Sequence, residues 1–317
     1  MVLAVASRNL SIGYEELDSV VWAVKNVSLE IERGSAFCLA GESGCGKSTL
    51  GSAIAGILPP HAVTKGVLLV NGKSVINGEV RDYEGVRGRR VTYIPQNPGS
   101  SLSPYLKIGG QFYHVLKSVH GLEKREAFAK ARDYLRKVEL NPDDVLERYP
   151  HQLSGGMQQR AAIALALSTG AELLVADEPT SALDAHLRLQ IVELLRKLRE
   201  ENGLTLIFIS HDLLLASALC EKSAVMYAGR IVEIGDTRRI MEAPAHPYTR
   251  MLIGAIPRLG DKRPLRSYPG EPPRPGEEKV GCPFYDRCPS SIAKCTREKP
   301  SLVPVGDGRY VECWLYA

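Results

Sequence analysis

The densest chemical signal in the chain is one uninterrupted run, Gly41, Glu42, Ser43, Gly44, Cys45, Gly46, Lys47, Ser48 and Thr49. It fits G-x-x-x-x-G-K-[ST], in which glycines let backbone N–H groups converge on phosphate oxygens, a lysine reaches the β and γ phosphates and a hydroxyl ligates Mg2+. Lys47 and Ser48 take those two positions, and the N-terminus of a following helix would add positive partial charge. Cys45 reads as a small tolerated side chain within the loop rather than a redox switch. A second group lies at Leu173-Leu-Val-Ala-Asp177-Glu178, an apolar strand that ends in two carboxylates. A buried strand can hold Asp177 at the sheet edge to bind Mg2+ through water, leaving Glu178 to orient or deprotonate an attacking water.

These groups need a scaffold, and the flanking pattern predicts one. Ser35 to Ala40 is a small apolar run that ends at a glycine, a strand leading into the loop. Val67 to Val70 is followed by Asn71-Gly72, a strong hairpin turn pair. From Glu123 to Leu140 the residues Ala127, Phe128, Ala131, Tyr134, Leu135 and Val138 recur at helical spacing between charges, which predicts an amphipathic helix. Then come the strand Leu173 to Ala176, a helix with Leu187, Ile191, Leu194, Leu195 and Leu198 on one face, and a strand from Thr205 to Ile209. Strands alternating with helices predict an α/β fold with a parallel sheet under helical cover. From Pro257 to Pro275 the composition shifts to Pro, Arg, Gly and Glu, marking a linker or an extended surface segment. There is no internal repeat.

The bulk composition sets limits on this picture. With 317 residues and 44% hydrophobic content, the chain can build a large core. Its net charge of +4 is spread over many residues of both signs and only 6% are aromatic, which argues against nucleic acid as a partner. The longest apolar stretches, such as Ala161 to Leu167 and Leu204 to Ile209, fall far short of the ~18 to 20 residues that cross a bilayer. The first residues lack the pattern of a secretory signal, so a cytoplasmic setting is expected.

Leu153-Ser154-Gly155-Gly156-Met157-Gln158-Gln159-Arg160 resembles the signature motif of ABC ATPases. Ser154 and two glycines begin a helix continued by the wholly apolar Ala161 to Leu167, so its positive end presents bare N–H groups and a hydroxyl suited to an anion. The resemblance implies that this anion is the γ-phosphate of ATP bound to the loop of the opposite subunit, giving two composite sites in a head-to-tail dimer. Gln96 in YIPQNP resembles the Q-loop, where it would touch metal and water. Ser181-Ala-Leu-Asp184 resembles the D-loop, and His211 in ISHD the switch histidine that contacts the γ-phosphate. Tyr14 resembles the aromatic that stacks on adenine, with Trp22 as its rival; His151 and His246 are read as structural. The implied fold is a P-loop NTPase core of the RecA-like kind with an antiparallel β subdomain and a helical insert near 97–165. Together these make an ATPase domain over 1–237, followed by an extension over 238–317.

The stretches QNPGSSLSP, YPHQLSGGMQQR and DEPTSALD look like the D-type ATPase of dipeptide and oligopeptide importers, and Ala245-His246-Pro247-Tyr248-Thr249 matches that family's C-terminal extension. In the extension, Tyr248, Met251, Leu252, Ala255 and Ile256 form one apolar helical face, read as packing. The family implies a paralogous ATPase partner, two integral-membrane permease subunits, an extracellular solute-binding protein and a place on the cytoplasmic face of the membrane. Relatives of this type also serve oligosaccharides and nickel. A soluble ABC protein acting on ribosomes or DNA is the rival, but one motif set and no long heptad run speak against it.

Four of the seven cysteines, Cys282, Cys288, Cys295 and Cys313, crowd the tail with five, six and seventeen residues between them. In a reducing compartment, metal binding is favoured over disulfides. The gaps fit poorly to the short C-x2-4-C pairs of zinc sites. The matching family tail implies a 4Fe-4S cluster on four thiolates, with zinc or unligated thiols as the alternatives.

Overall fold

The computed structural model describes residues 2–16, 19–181, 183–256, 270–274 and 276–317. Thirteen strands are present among them: β1 (Leu3–Glu16), β2 (Ser19–Glu32), β3 (Ala36–Ala40), β4 (Ala62–Val70), β5 (Lys73–Asn77), β6 (Val80–Arg81), β7 (Val91–Ile94), β8 (Leu173–Asp177), β9 (Thr205–Ser210), β10 (Lys222–Tyr227), β11 (Arg230–Asp236), β12 (Leu302–Gly306) and β13 (Arg309–Glu312). The helices are α1 (Lys47–Ala55), α2 (Pro98–Ser101), α3 (Ile108–His120), α4 (Lys124–Lys137), α5 (Pro142–Val145), α6 (Gly155–Ser168), α7 (Ala185–Asn202), α8 (Leu213–Leu219), α9 (Thr237–Glu242) and α10 (Pro247–Gly254). The strands and helices predicted around Ala36, Val67, Ala127, Leu173, Leu194 and Thr205 all form. The Pro257–Pro275 linker lies outside the described residues except for 270–274.

The strands build two sheets. An antiparallel one runs β2-β1-β4-β5-β6, and an eight-stranded one runs β12-β13-β11-β10-β3-β9-β8-β7. In the larger sheet β10, β3, β9, β8 and β7 are mutually parallel. Every residue of β3, β8 and β9 is buried, which is why these central strands read as largely apolar runs. Alternation divides their side chains between two cores. Phe37, Leu39, Val175, Ile207 and Ile209 pack towards Leu50 and Ile54 of α1 and the antiparallel sheet. Ala36, Cys38, Ala40, Leu174, Ala176, Leu206 and Phe208 pack towards α6, α7 and α8. At Asn71-Gly72, both residues take positive φ (48° and 79°), and Val70 pairs with Lys73, so the predicted hairpin closes as expected.

Two features depart from the sequence reading. The tail is not merely appended: β12 and β13 form a hairpin, and β13 pairs antiparallel with β11, extending the central sheet. On α10, Tyr248, Met251 and Ile253 are buried while Ala255 is exposed. Ala255 caps the helix, its N–H still donating to the Met251 carbonyl at 3.0 Å, and the buried face runs through Ile253 instead. No helix among the described residues is long and apolar enough to cross a membrane.

Candidate active site

β3 ends at Ala40, and the chain turns through Gly41–Gly46 into α1. Gly41 (φ +147°) and Gly46 (φ +101°) take conformations that L side chains rarely adopt, and a Cβ at Gly41 would lie 2.3 Å from the Met226 carbonyl. Glycine is therefore required by both conformation and space. Lys47, only 4% exposed, folds back over the loop, its Nζ donating to the carbonyls of Gly41 and Glu42 at 2.8 Å each. Cys45 is buried, its Sγ 3.7 Å from Lys47 Nζ, and burial pushes its thiol pKa up. It is a free cysteine.

β8 delivers Asp177 and Glu178 beside this loop. The Tyr93 hydroxyl, from β7, donates to Asp177 Oδ2 at 2.7 Å, and Ser48 hydrogen-bonds to the same carboxylate. Asp177 Oδ1 is buried and has no partner among the described residues. Burial raises the Asp177 pKa, the Tyr93 and Ser48 bonds oppose that rise, and the Glu178 charge adds to it. A carboxylate with one bare oxygen next to a hydroxyl at the start of α1 fits Mg2+, which takes one or two protein oxygens and keeps waters.

Glu178 sits at φ +43°, an uncommon conformation for a non-glycine residue. Two predicted residues converge on it: Gln96 Nε2 donates to its Oε2 at 3.1 Å, and His211 Nδ1 lies 3.3 Å from its Oε1. The Ser181 hydroxyl donates to the Gln96 carbonyl at 3.1 Å, tying the stretch after β8 to the segment after β7. The Tyr14 hydroxyl donates to Thr49 Oγ1 at 3.1 Å, which puts Tyr14 against the end of the phosphate loop. Trp22 instead stacks under Lys65 Nζ, 4.8 Å from the ring centroid.

Ser154 is elsewhere. Its Oγ caps α6 by accepting the Met157 N–H at 3.3 Å, and Asp184 Oδ1 caps α7 by accepting from Leu187 at 3.0 Å. Ser154, Gly155, Gly156 and Asp184 line one open hollow of about 470 Å³, and no residue of the Gly41–Thr49 loop lines it. One chain thus presents an anion-seeking helix end without the phosphate loop it would face.

Three residues around the site were not singled out by sequence reasoning. Tyr93 stands three residues before Gln96, yet a tyrosine in a short strand carries no signal of its own. Tyr248 was read only as packing, but its hydroxyl accepts the Glu42 N–H at 2.8 Å. Arg287 sends NH1 and NH2 onto the Glu42 carboxylate at 2.8 and 3.0 Å.

The tail cysteines lie near one another without forming a group placed to hold a metal ion. Cys282, Cys295 and Cys313 are buried, Cys288 is half-buried, and none is in a disulfide. The Cys282 thiol feels Cys295, Cys313 and Cys288, and burial pushes it up to about 12. Three of the sulfurs accept a backbone N–H from the residue two further on: Cys282 from Phe284, Cys288 from Ser290 and Cys313 from Leu315. Burial raises all three thiols above their usual value, and these bonds oppose that rise. Among the described residues no group of three or more His, Cys, Asp or Glu is placed to hold a metal ion.

A phosphate loop on a parallel sheet, a carboxylate pair at the end of a strand one place removed, a helical insert and a serine-led helix define an ABC-type ATPase. Comparison with known proteins agrees. A family model described as ABC transporter matches residues 24–181, and one described as oligopeptide/dipeptide transporter, C-terminal region, matches residues 232–295. The chain is 37% identical to the dipeptide transport ATP-binding protein DppD of Bacillus subtilis, covering 97% of this chain and 93% of that one. It is 38% identical to the oligopeptide transport ATP-binding protein OppD of Haemophilus influenzae, covering 98% and 96%. Among solved structures it resembles MJ0796, a dimeric ATP-binding cassette in a post-hydrolysis state bound to ADP and phosphate, with a TM-score of 0.65 and 29% identity over 74% of this chain and 99% of that one. The chain belongs to the ATP-binding proteins of the ABC transporter family, in the branch that carries the oligopeptide/dipeptide C-terminal region. It is an ATPase that energises transport.

Proposed function

We propose that the chain powers uptake of dipeptides or oligopeptides by closing with a paralogous ATPase on two ATP molecules and driving two membrane permease subunits from the cytoplasmic face. An external solute-binding protein would deliver the cargo. The peptide assignment draws on the relatives, which are named for dipeptide and oligopeptide transport.

The observation that carries the mechanism is the convergence of Gln96 and His211 on Glu178. Lys47 would leave the Gly41 and Glu42 carbonyls for the β and γ phosphates, and Tyr14, tethered to Thr49, would stack on the adenine. Ser48 and Asp177, with Gln96, would hold Mg2+, whose charge neutralises the β and γ oxygens. Glu178 then accepts the proton of a water as its oxygen attacks the γ-phosphorus. The bond from the γ-phosphorus to the β-bridging oxygen breaks and ADP leaves. His211 orients Glu178 and contacts the γ-phosphate. Ser154, Gly155 and Gly156 of the opposite subunit would cap that phosphate through the positive end of α6, with Asp184 beside them. Dimer closure thereby links chemistry to transport.

In the tail, Cys282, Cys288, Cys295 and Cys313 would hold a 4Fe-4S cluster, with zinc as the alternative. The reading draws on the placement of the four cysteines in one tail, where the Cys282 thiol feels Cys295, Cys313 and Cys288. The cluster's role would be to clamp the extension.

The test is reconstitution of the complete transporter with its binding protein in vesicles. Peptide uptake should require ATP and stop in Glu178→Gln; uptake that persists in that variant would contradict the assigned motor.

A further inference from the structure

Glu42 is an awkward residue in a phosphate loop. A triphosphate carries several negative charges, and the loop's backbone N–H groups are there to meet them, yet the second loop position holds a carboxylate. Three contacts fix this residue. Its carbonyl accepts from Lys47 Nζ at 2.8 Å, its N–H donates to the Tyr248 hydroxyl at 2.8 Å, and its side chain receives both terminal nitrogens of Arg287 at 2.8 and 3.0 Å. Two of the three come from the C-terminal extension, more than 200 positions along the chain.

The extension is built to hold those two groups still. Arg287 closes a single helical turn, Tyr285–Arg287, between Cys282 and Cys288, and is only 8% exposed. Its guanidinium lies 5.8 Å from the ring centroids of both Tyr227 and Phe284. Tyr227, at the end of β10, packs 4.6 Å from Tyr248 and 5.2 Å from Phe284, and Tyr248 lies 5.5 Å from Phe284. Two rings, themselves packed on Tyr248, therefore flank a buried cation, and its carboxylate partner is part of the nucleotide cradle. A planar fork on a carboxylate is the strongest geometry for such a pair, and low solvent exposure keeps it unscreened.

We propose that Arg287 and Tyr248 are positioning residues for ATP: Arg287 neutralises the Glu42 carboxylate so that it does not repel the triphosphate, and Tyr248 fixes the Glu42 peptide within the cradle. This rests on the reading of Gly41–Thr49 as the ATP phosphate loop. The arrangement makes nucleotide affinity depend on the fold of the cysteine-bearing tail.

A bond and a charge can be told apart, because either substitution breaks the bond but each changes the charge with opposite sign. In the full chain, Arg287→Gln leaves an unneutralised carboxylate, and binding of a non-hydrolysable ATP analogue should weaken by about tenfold. Glu42→Gln leaves the cation and should tighten binding by roughly threefold. The double variant should return near wild type. In ATPase assays of the assembled transporter, Arg287→Gln should raise KM for ATP and leave kcat near wild type. Tyr248→Phe should weaken binding by a smaller factor. A purely structural clamp predicts that Arg287→Gln and Glu42→Gln weaken binding alike, and that result would overturn the proposal. Should Arg287→Gln not fold, Glu42→Gln alone decides, since weaker binding there contradicts the charge argument. Lys47→Ala serves as the control: unchanged ATP affinity in that variant would show instead that the loop assignment had failed.

Discussion

The Tyr93 hydroxyl donates to Asp177 Oδ2 at 2.7 Å and leaves Asp177 Oδ1 as a buried oxygen with no partner among the described residues. One oxygen is thus oriented by the protein and the other left bare at the place where Mg2+ fits. Burial raises the Asp177 pKa, and the Tyr93 bond is the first contribution against it. Tyr93→Phe removes that donor, so the pKa should rise further and the ionised form needed by the metal becomes scarcer at low pH. We expect the Mg2+ concentration for half-maximal ATPase activity to rise about tenfold and the acid limb of the pH profile to move to higher pH. Titrating Mg2+ at several pH values checks both.

Glu178 should be dispensable for binding and indispensable for turnover. Glu178→Gln keeps the shape and the hydrogen bond from Gln96 but removes the proton acceptor. Steady-state hydrolysis should fall by roughly 100-fold or more, with ATP affinity close to wild type, as read by phosphate release and equilibrium binding on the same preparation.

Lys47 makes two carbonyl bonds that it would exchange for phosphate oxygens. Losing charge-assisted bonds of this kind costs about 1.5–3 kcal/mol, or roughly 10- to 100-fold in ATP affinity for Lys47→Ala. Equilibrium binding of a fluorescent ATP analogue measures it directly.

His246 gives the chain a built-in acid sensitivity. It is buried, its Nδ1 accepts the Tyr248 N–H at 3.0 Å, and desolvation lowers its pKa to about 3. The unfolded chain binds this proton near pH 6.5 and the folded chain does not, so stability is full above about 6.5 and is lost as pH falls towards 3. His246→Asn keeps a helix-capping acceptor without the titration. Its melting temperature should decline less steeply between pH 6.5 and 4 than that of the wild type.

The tail is tested by its colour. Anaerobically purified protein should contain iron and acid-labile sulfide in equal amounts and absorb in the visible, and Cys282→Ser should lose both. Stoichiometric zinc without sulfide would reassign the site.

How much of this was legible in the sequence follows from where each contact lies along the chain. The phosphate loop was readable because Gly41 to Thr49 is contiguous and each residue type has its own reason. Gln96 and His211 were readable through their motifs, and the structure puts both on Glu178. Ser154 as the first cap of α6 followed from a hydroxyl standing before an apolar helical run. The Arg287–Glu42 pair was not readable: 245 positions separate the partners, and nothing near either residue signals the other. Nor was the pairing of β13 with β11, because a strand of four residues at a sheet edge has too short a pattern to announce its neighbour.

The most direct test of the account concerns the helix end at Ser154, which opens into a hollow that its own phosphate loop does not line. A cysteine at Ser154 and a second in the phosphate loop of the facing ATPase subunit should crosslink in the assembled, Glu178→Gln transporter when ATP is added, and far less with ADP or no nucleotide. A crosslink yield that ATP leaves unchanged, or a structure of the ATP-loaded assembly with the Ser154 helix turned away from the neighbour's triphosphate, would contradict the composite site on which the motor depends.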